Sequence, residues 1–358
     1  MAKRTGFYEQ HVAARAKIVE FAGYDMPIQY HSMVAEHKRV RQSVGVFDVS
    51  HMGEVEISGP MALDYVQKIT INDAAKLAPG EAQYSAMCKP DGGIVDDLIV
   101  YRRSEDQFLL VINAANIGKD FAWIEANKIA GAEAVDRSDF YSQLAVQGPQ
   151  SIATLQKLTL IDLNSIAYYK FSEGELAGAP MLISHTGYTG ETGFELYFDR
   201  RYSESVWRQI LAAGEEFAIE PIGLGARDSL RLEKGYALYG NDIDESTSPL
   251  EARLGWICKF EKGDFLGRDY LLRQKETGVQ RRLSALLLHD KGFPRHGYEV
   301  FSGHDKIGYI TSGTVSPMLN RGIAMAYLDK PYDKIGSEVQ IDIRGKQARA
   351  SVVKLPFV

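Results

Sequence analysis

The sequence predicts an α+β protein of several domains that ends in an all-β domain. Two observations carry this expectation. Ahead of residue 281, stretches with apolar residues at helical spacing are interleaved with stretches that alternate apolar and polar residues, as half-buried strands do. From about Arg281 the helical spacing stops, and short alternating runs divided by Gly and Asp turns take over, the pattern of a β-barrel or sandwich. A chain of 358 residues has room for two or three domains of ordinary size.

Taken in order, residues 33–44 set apolar side chains at helical spacing among charges, and VFDVSHMGEVEISG alternates as a strand, with the handover near Gly45. Residues 60–69 read as a helix opened by Pro60, whose missing N–H costs nothing in a first helical turn. YSAMC, GGIVDDLIVYR and DQFLLVIN read as three strands and 114–129 as an amphipathic helix, which makes an α+β unit of roughly 50–135. SQLAVQGPQSIATLQKL gives a strand, a Gly-Pro turn and a helix. APMLISHTGYTG and GFELYFD are strands flanking a glycine-rich turn, and 204–217 and 223–235 are two further helices. The charged stretch 259–277 is the expected inter-domain connector. RLSALLL, YEVF, KIGYIT, GIAMAYL, EVQIDI and QARASVV are the strands of the last domain.

Composition excludes several classes. A net charge of −6 and a pI near 5.8 argue against a nucleic-acid binder or a protein held to an anionic membrane. Cys88 and Cys258 have no CxxC or His/Cys spacing, so they are expected as core thiols in a reducing compartment, and no metal site is expected. MAKRTGFYEQ lacks an apolar signal core, and no run approaches the apolar length of a membrane span. A cytoplasmic protein is expected.

Three constellations could carry chemistry. In GGIVDDLIVY, Asp96 and Asp97 interrupt an apolar strand; neighbours in a strand point to opposite faces, so only one of them can enter a given pocket. The pattern leaves the choice between them open. In HTGYTGETGFELYF, the glycines permit a tight turn, and Glu195 points opposite to Phe194 and Leu196. An ionised carboxylate held that way offers two acceptor oxygens to neighbouring N–H groups of a heterocycle, although a solvent-facing strand Glu is the commoner occurrence. His185 reads as a solvated turn residue. In GLGARDSLRLEKGYALYGNDID, Arg227 and Arg231 lie four apart on one helix face, so one can bind a ligand while the other braces a carboxylate. No GxSxG, HExxH or nucleotide-binding GxGxxG pattern is present, and covalent catalysis has no support.

These blocks, with FAGYDMPIQY, GVFDVSHMGE, INAANIGKDF, QGP, TSGTVSP and KLPF, resemble in order and nearly end to end the aminomethyltransferase family, the T-proteins of the glycine cleavage system. The resemblance implies a three-domain, cloverleaf-like arrangement of two α+β domains and a C-terminal β-barrel-like domain around a central folate channel. Residues 1–50 with 136–260 would form the first domain, 51–135 the second, 261–280 a connector and 281–358 the barrel. It implies transfer of an aminomethyl group from the lipoyl arm of the H-protein to tetrahydrofolate, with release of ammonia and no metal. Carried over by position, Asp97 matches the catalytic Asp, and Asp96 is structural. Glu195, Tyr188 and Arg227 match residues that grip the folate, with Met52, Tyr84, Asn113, Tyr168 and Tyr236 on the pocket wall and Arg295 near the lipoyl entrance.

The chain departs from the family pattern at RTGFYEQH, at ARAKIV, at Tyr24 where Trp is common, and by stopping at PFV without a longer basic tail. The first three fall in a segment expected to order against the H-protein, and the last touches the grip on the folate's glutamate tail. A related iron–sulfur assembly branch carries KGCYxGQE; KGYALYGNDID has Tyr236 in place of that cysteine. Folate-dependent demethylases of the same fold rank second, and a folate-binding module without turnover is the alternative from another class.

Overall fold

The computed structural model describes residues 2–358. After a short helix α1 (Tyr8–Ala13), strands β1 (Lys17–Phe21) and β2 (Tyr24–Gln29) form an antiparallel hairpin that turns on Ala22 and Gly23, both at positive φ. Helix α2 (Met33–Gln42) is opened by Ser32, whose hydroxyl accepts from the Ala35 N–H. The stretch expected as one strand is two, β3 (Gly45–Asp48) and β4 (Gly53–Ser58), which belong to different sheets. Asp48 is the cause. Its Oδ1 accepts from the Ser50 N–H at 2.9 Å and the Met52 N–H donates to the Val49 carbonyl at 3.1 Å, so a side-chain turn replaces the ladder.

Next come α3 (Ala62–Ile69), which starts two residues beyond Pro60, and the three expected strands β5 (Glu81–Cys88), β6 (Ile94–Ser104) and β7 (Gln107–Ile112). The expected helix 114–129 is a 3₁₀ turn followed by α4 (Ile117–Ala126). The sequence reading missed β8 (Glu133–Asp136), a four-residue edge strand beside β4. Strand β9 (Tyr141–Gln147) and the short α5 (Ser151–Leu155) follow, then β10 (Phe171–Leu176), also missed, and β11 (Ala179–Ser184) and β12 (Gly193–Asp199). Helix α6 (Ser203–Ala213) stops at Gly214, the two-residue β13 (Glu220–Pro221) runs parallel to β3, and α7 (Leu224–Lys234) carries the two arginines. The stretch read as a connector contains a helix, α8 (Arg268–Thr277). The last strands are β14 (Arg281–Leu288), β15 (Glu299–Ser302), β16 (Asp305–Ser316), β17 (Arg321–Asp329), β18 (Glu338–Ile343) and β19 (Lys346–Val353).

The chain divides into two compact units: residues 1–66, 74–84 and 98–228, and residues 67–73, 85–97 and 229–358. In the first, a six-stranded sheet of order β10-β11-β12-β9-β3-β13 buries Phe194, Leu196 and Phe198 of β12 against Val206, Trp207 and Ile210 of α6. The opposite side of β12 places Tyr197 with Tyr101, Leu109 and Val111 from β6 and β7 of a second sheet, of order β5-β6-β7-β4-β8. With both faces covered, β12 is buried along nearly its whole length. In the second unit the six final strands close as β14-β17-β16-β15-β18-β19, with β14 pairing β19. Leu286, Val300, Ile310, Leu328 and Ile341 fill the barrel, the period-two pattern having chosen the inward residues. The fold is α+β with a closed C-terminal barrel, as expected. Among the described residues no helix is long and apolar enough to cross a membrane.

Candidate active site

In the first unit the glycine-rich turn between β11 and β12 wraps around Gln147 of QGP. The Gln147 Nε2 donates to the Thr186 carbonyl at 3.2 Å and its Oε1 accepts from the Thr189 hydroxyl at 2.8 Å. A Cβ on Gly187 would lie 2.0 Å from the Gln147 Oε1, so only glycine lets the turn close this tightly. Arg41 fixes the far side, donating to the Thr189 carbonyl at 2.6 Å and to Glu191 at 2.8 Å. His185 differs from its expected solvated state: it is half-buried, hydrogen-bonded to the Ile166 carbonyl at 2.7 Å and stacked on Phe194.

Beyond this turn Glu195 is buried, 8% exposed, on the face of β12 opposite Phe194 and Leu196. Its Oε2 accepts from the Thr186 hydroxyl at 2.6 Å and its Oε1 from the Gln143 side-chain N–H at 3.2 Å. Burial pushes the carboxyl above its usual range, opposed by the Thr186 donor, the Arg227 charge and the Gln143 donor. The Arg227 guanidinium lies over the Tyr188 ring, 4.7 Å from its centroid, and both side chains are half-buried. His51, 2% exposed, has no donor or acceptor at Nδ1; burial and the Arg227 charge lower it to about 4, so it is neutral near pH 7. Met52 is half-buried against the Tyr101–Tyr197 cluster, and Tyr84 and Asn113 are half-buried. Tyr168 is 58% exposed, set edge-on to Tyr169 and His185.

In the second unit the start of β6 is seated on the segment that follows α7. The Ile94 N–H donates to the carbonyls of Asp244 (3.2 Å) and Thr247 (3.0 Å), and the Tyr239 hydroxyl donates to the Ile94 carbonyl at 3.2 Å. A Cβ on Gly93 would sit 2.1 Å from the Glu245 carbonyl oxygen, and Gly92 takes a positive φ, which together explain the paired glycines before the acids. Three residues beyond Ile94, Asp97 is half-buried while Asp96, on the other face, is fully buried. The supporting segment is itself held by Asp242. Its carboxylate accepts from Arg231 at 2.6 Å, the Leu238 N–H at 2.9 Å, Ser312 at 2.9 Å and Thr311 at 2.5 Å. Arg231, 1% exposed, also donates to the Tyr236 carbonyl at 2.9 Å, so it is the arginine that braces a carboxylate. Tyr236 is half-buried; Arg295 is exposed, with its guanidinium over Phe293.

Sequence reading did not single out Gln143, Thr186, Tyr101 or Tyr197. The available signal was a pair of glutamines, Gln143 and Gln147, on one face of a strand otherwise built of small and apolar residues. Among the described residues no group of three or more His, Cys, Asp or Glu is arranged to hold a metal ion.

Residues 7–262 match the GCVT N-terminal domain family and residues 281–358 the glycine cleavage T-protein C-terminal barrel domain family. An aminomethyltransferase from Bacteroides thetaiotaomicron is 52% identical over 358 residues, covering 99% of each chain. One from Halothermothrix orenii is 49% identical, covering 99% of this chain and all of the other. The crystal structure of glycine cleavage system aminomethyltransferase T from Bartonella henselae superimposes with a TM-score of 0.94 at 35% identity, covering 100% of this chain and 98% of that one. Sequence and structure agree over the full length, and the chain belongs to the glycine cleavage T-protein family.

Proposed function

We propose that the chain performs the aminomethyltransferase reaction of its family with tetrahydrofolate as acceptor and aminomethylated, lipoyl-bearing H-protein as donor. The folate nitrogens N5 and N10 bond to the transferred carbon, its bonds to sulfur and to the amino nitrogen break, and the two folate protons leave on the lipoyl thiol and on ammonia. The product is 5,10-methylene-tetrahydrofolate. Asp97 is the catalytic residue, its carboxylate stabilising the positive charge that develops as the amine attacks and accepting a proton from it. Glu195 receives N–H groups of the pterin edge, Arg227 and Tyr188 hold the folate, and Met52, Tyr84, Asn113, Tyr168 and Tyr236 complete the wall. Arg295 serves the lipoyl entrance.

The observation that supports this reading most is Glu195, a buried carboxylate whose two oxygens are each fixed by one protein donor and retain acceptor capacity. The test is ammonia release from aminomethylated H-protein. Asp97→Asn is expected to lower turnover by about 10²-fold or more while leaving folate affinity within a few-fold. Glu195→Ala is expected to weaken folate binding by about 10- to 100-fold, as loss of charge-assisted hydrogen bonds does. Normal turnover by Asp97→Asn would mean the wrong carboxylate or the wrong reaction. Faster consumption of small methyl donors than of aminomethylated H-protein would favour a demethylase.

A further inference from the structure

The side chains around Glu195 form a closed ring. Gln143, 1% exposed on β9, directs one Nε2 proton to Glu195 Oε1 at 3.2 Å and the other to the Tyr197 hydroxyl at 3.1 Å. Tyr197 and Tyr101 hydroxyls are 3.0 Å apart, Tyr101 and Thr186 hydroxyls 3.1 Å apart, and Thr186 lies 2.6 Å from Glu195 Oε2. The ring therefore leaves one carboxylate oxygen, passes through four side chains and returns to the other.

Its direction follows from proton counting. A carboxylate only accepts, and each hydroxyl has a single proton to give. The Thr186 proton goes to Glu195, the strongest acceptor in reach. Thr186 is then an acceptor for Tyr101, and Tyr101 for Tyr197. The Ser184 hydroxyl lies 2.9 Å from Thr186 and also hydrogen-bonds Tyr101, beside the ring. Tyr197 in turn accepts from the Gln143 amide, whose two protons let it serve Tyr197 and Glu195 together. A flipped Gln143 amide would set its oxygen against the carboxylate.

We propose that Gln143 is a positioning residue that gives this ring its single direction, so that every hydroxyl points toward Glu195 and the carboxylate is held ionised as an acceptor. The proposal rests on the reading of Glu195 as a folate-binding residue. Both phenols are pushed upward by burial and by the Glu195 charge, so neither ionises in the range where a carboxyl titrates. Arg227 is the charged group that faces Glu195 from α7, and Tyr101 on β6 and Tyr197 on β12 are the other titratable groups against it. Glu54 on β4 acts on Tyr197. Within this set Glu195 is the group whose ionisation the ring controls.

The test is tetrahydrofolate affinity, by quenching of intrinsic fluorescence under anaerobic conditions, as a function of pH. The pterin's own titrations are common to all variants, so a change in midpoint between them reports Glu195. Wild-type affinity is expected to fall on the acid side as the carboxylate protonates. Gln143→Met is expected to move that midpoint to higher pH by about one unit, since a hydrogen bond to the charged form is lost. Tyr101→Phe, which cuts the ring while sparing the Gln143–Glu195 bond, is expected to move it the same way by less. Midpoints coincident with wild type, with affinity lowered equally at every pH, would overturn the proposal. Should Glu195→Ala leave affinity and its pH dependence untouched, the folate reading of that residue is what fails. If Glu195→Ala matters but both ring variants keep the wild-type midpoint, the positioning role alone fails.

Discussion

Glu54 and Asp48 are fully buried acids on strands that follow one another in the chain, and their surroundings drive them in opposite directions. For Asp48 burial works upward, but His11 at 2.9 Å, Thr5 at 2.6 Å and the Ser50 N–H together hold it below the usual carboxylate range. Glu54 has no hydrogen-bond donor at either oxygen; burial, reinforced by Asp136, pushes it well above that range. The unfolded chain releases the Glu54 proton near its ordinary value of 4.5, whereas the folded chain keeps it. Folded stability from this group is therefore complete below that pH and declines as pH rises toward the folded value. Glu54→Gln keeps the shape and removes the ionisation. It is expected to be more stable than wild type at pH 8 by about 1 kcal/mol or more, the worth of one pKa unit. The gain should vanish near pH 4, which urea unfolding at the two pH values would measure. A gain of equal size at both would mean that proton linkage is not its source.

At the scale of elements, the Arg231–Asp242 pair does for the segment after α7 what a ladder of backbone bonds does for a strand. It supplies the donors and acceptors that an irregular stretch lacks. Asp242→Ala removes the carboxylate that pairs with the buried Arg231, and losing one partner of a buried pair costs about 3–5 kcal/mol elsewhere. It also loosens the support beneath Ile94. The expected outcome is a lower urea midpoint together with reduced ammonia release. Wild-type stability would show that Arg231 finds other acceptors. Much of this level was legible beforehand. The six barrel strands followed from alternation because each has one face on a single core, and the face of Glu195 followed from the same period. Strands β8 and β10 escaped because an edge strand such as Glu133–Asp136 is mostly exposed and carries little pattern. The break between β3 and β4 escaped because it depends on one side chain, Asp48, capturing a backbone N–H. The ring about Glu195 was hidden for another reason: Tyr101, Gln143, Thr186 and Tyr197 come from three separated stretches of chain, and no local period links them.

At the scale of the whole molecule, neither compact unit is a continuous piece of chain. The boundaries fall at 66/67, 73/74, 84/85, 97/98 and 228/229, and four of them lie inside regular elements: α3, β5, β6 and α7. Strand β6 is the clearest case, since Ile94 to Asp97 belong to one unit and Leu98 to Ser104 to the other. If one unit unfolded alone, four helices and strands would have to end in mid-run, each exposing backbone groups with no cap to receive them. Unfolding in a single cooperative step follows, although the chain is longer than most proteins that behave this way. Hydrogen exchange at increasing urea can read it. The slowest amides of β12 in the first unit and of β17 in the barrel are expected to merge onto one opening free energy with one urea dependence. Separate isotherms, with β17 still protected after β12 has opened, would show that the closed barrel holds on its own core and that the shared elements transmit nothing.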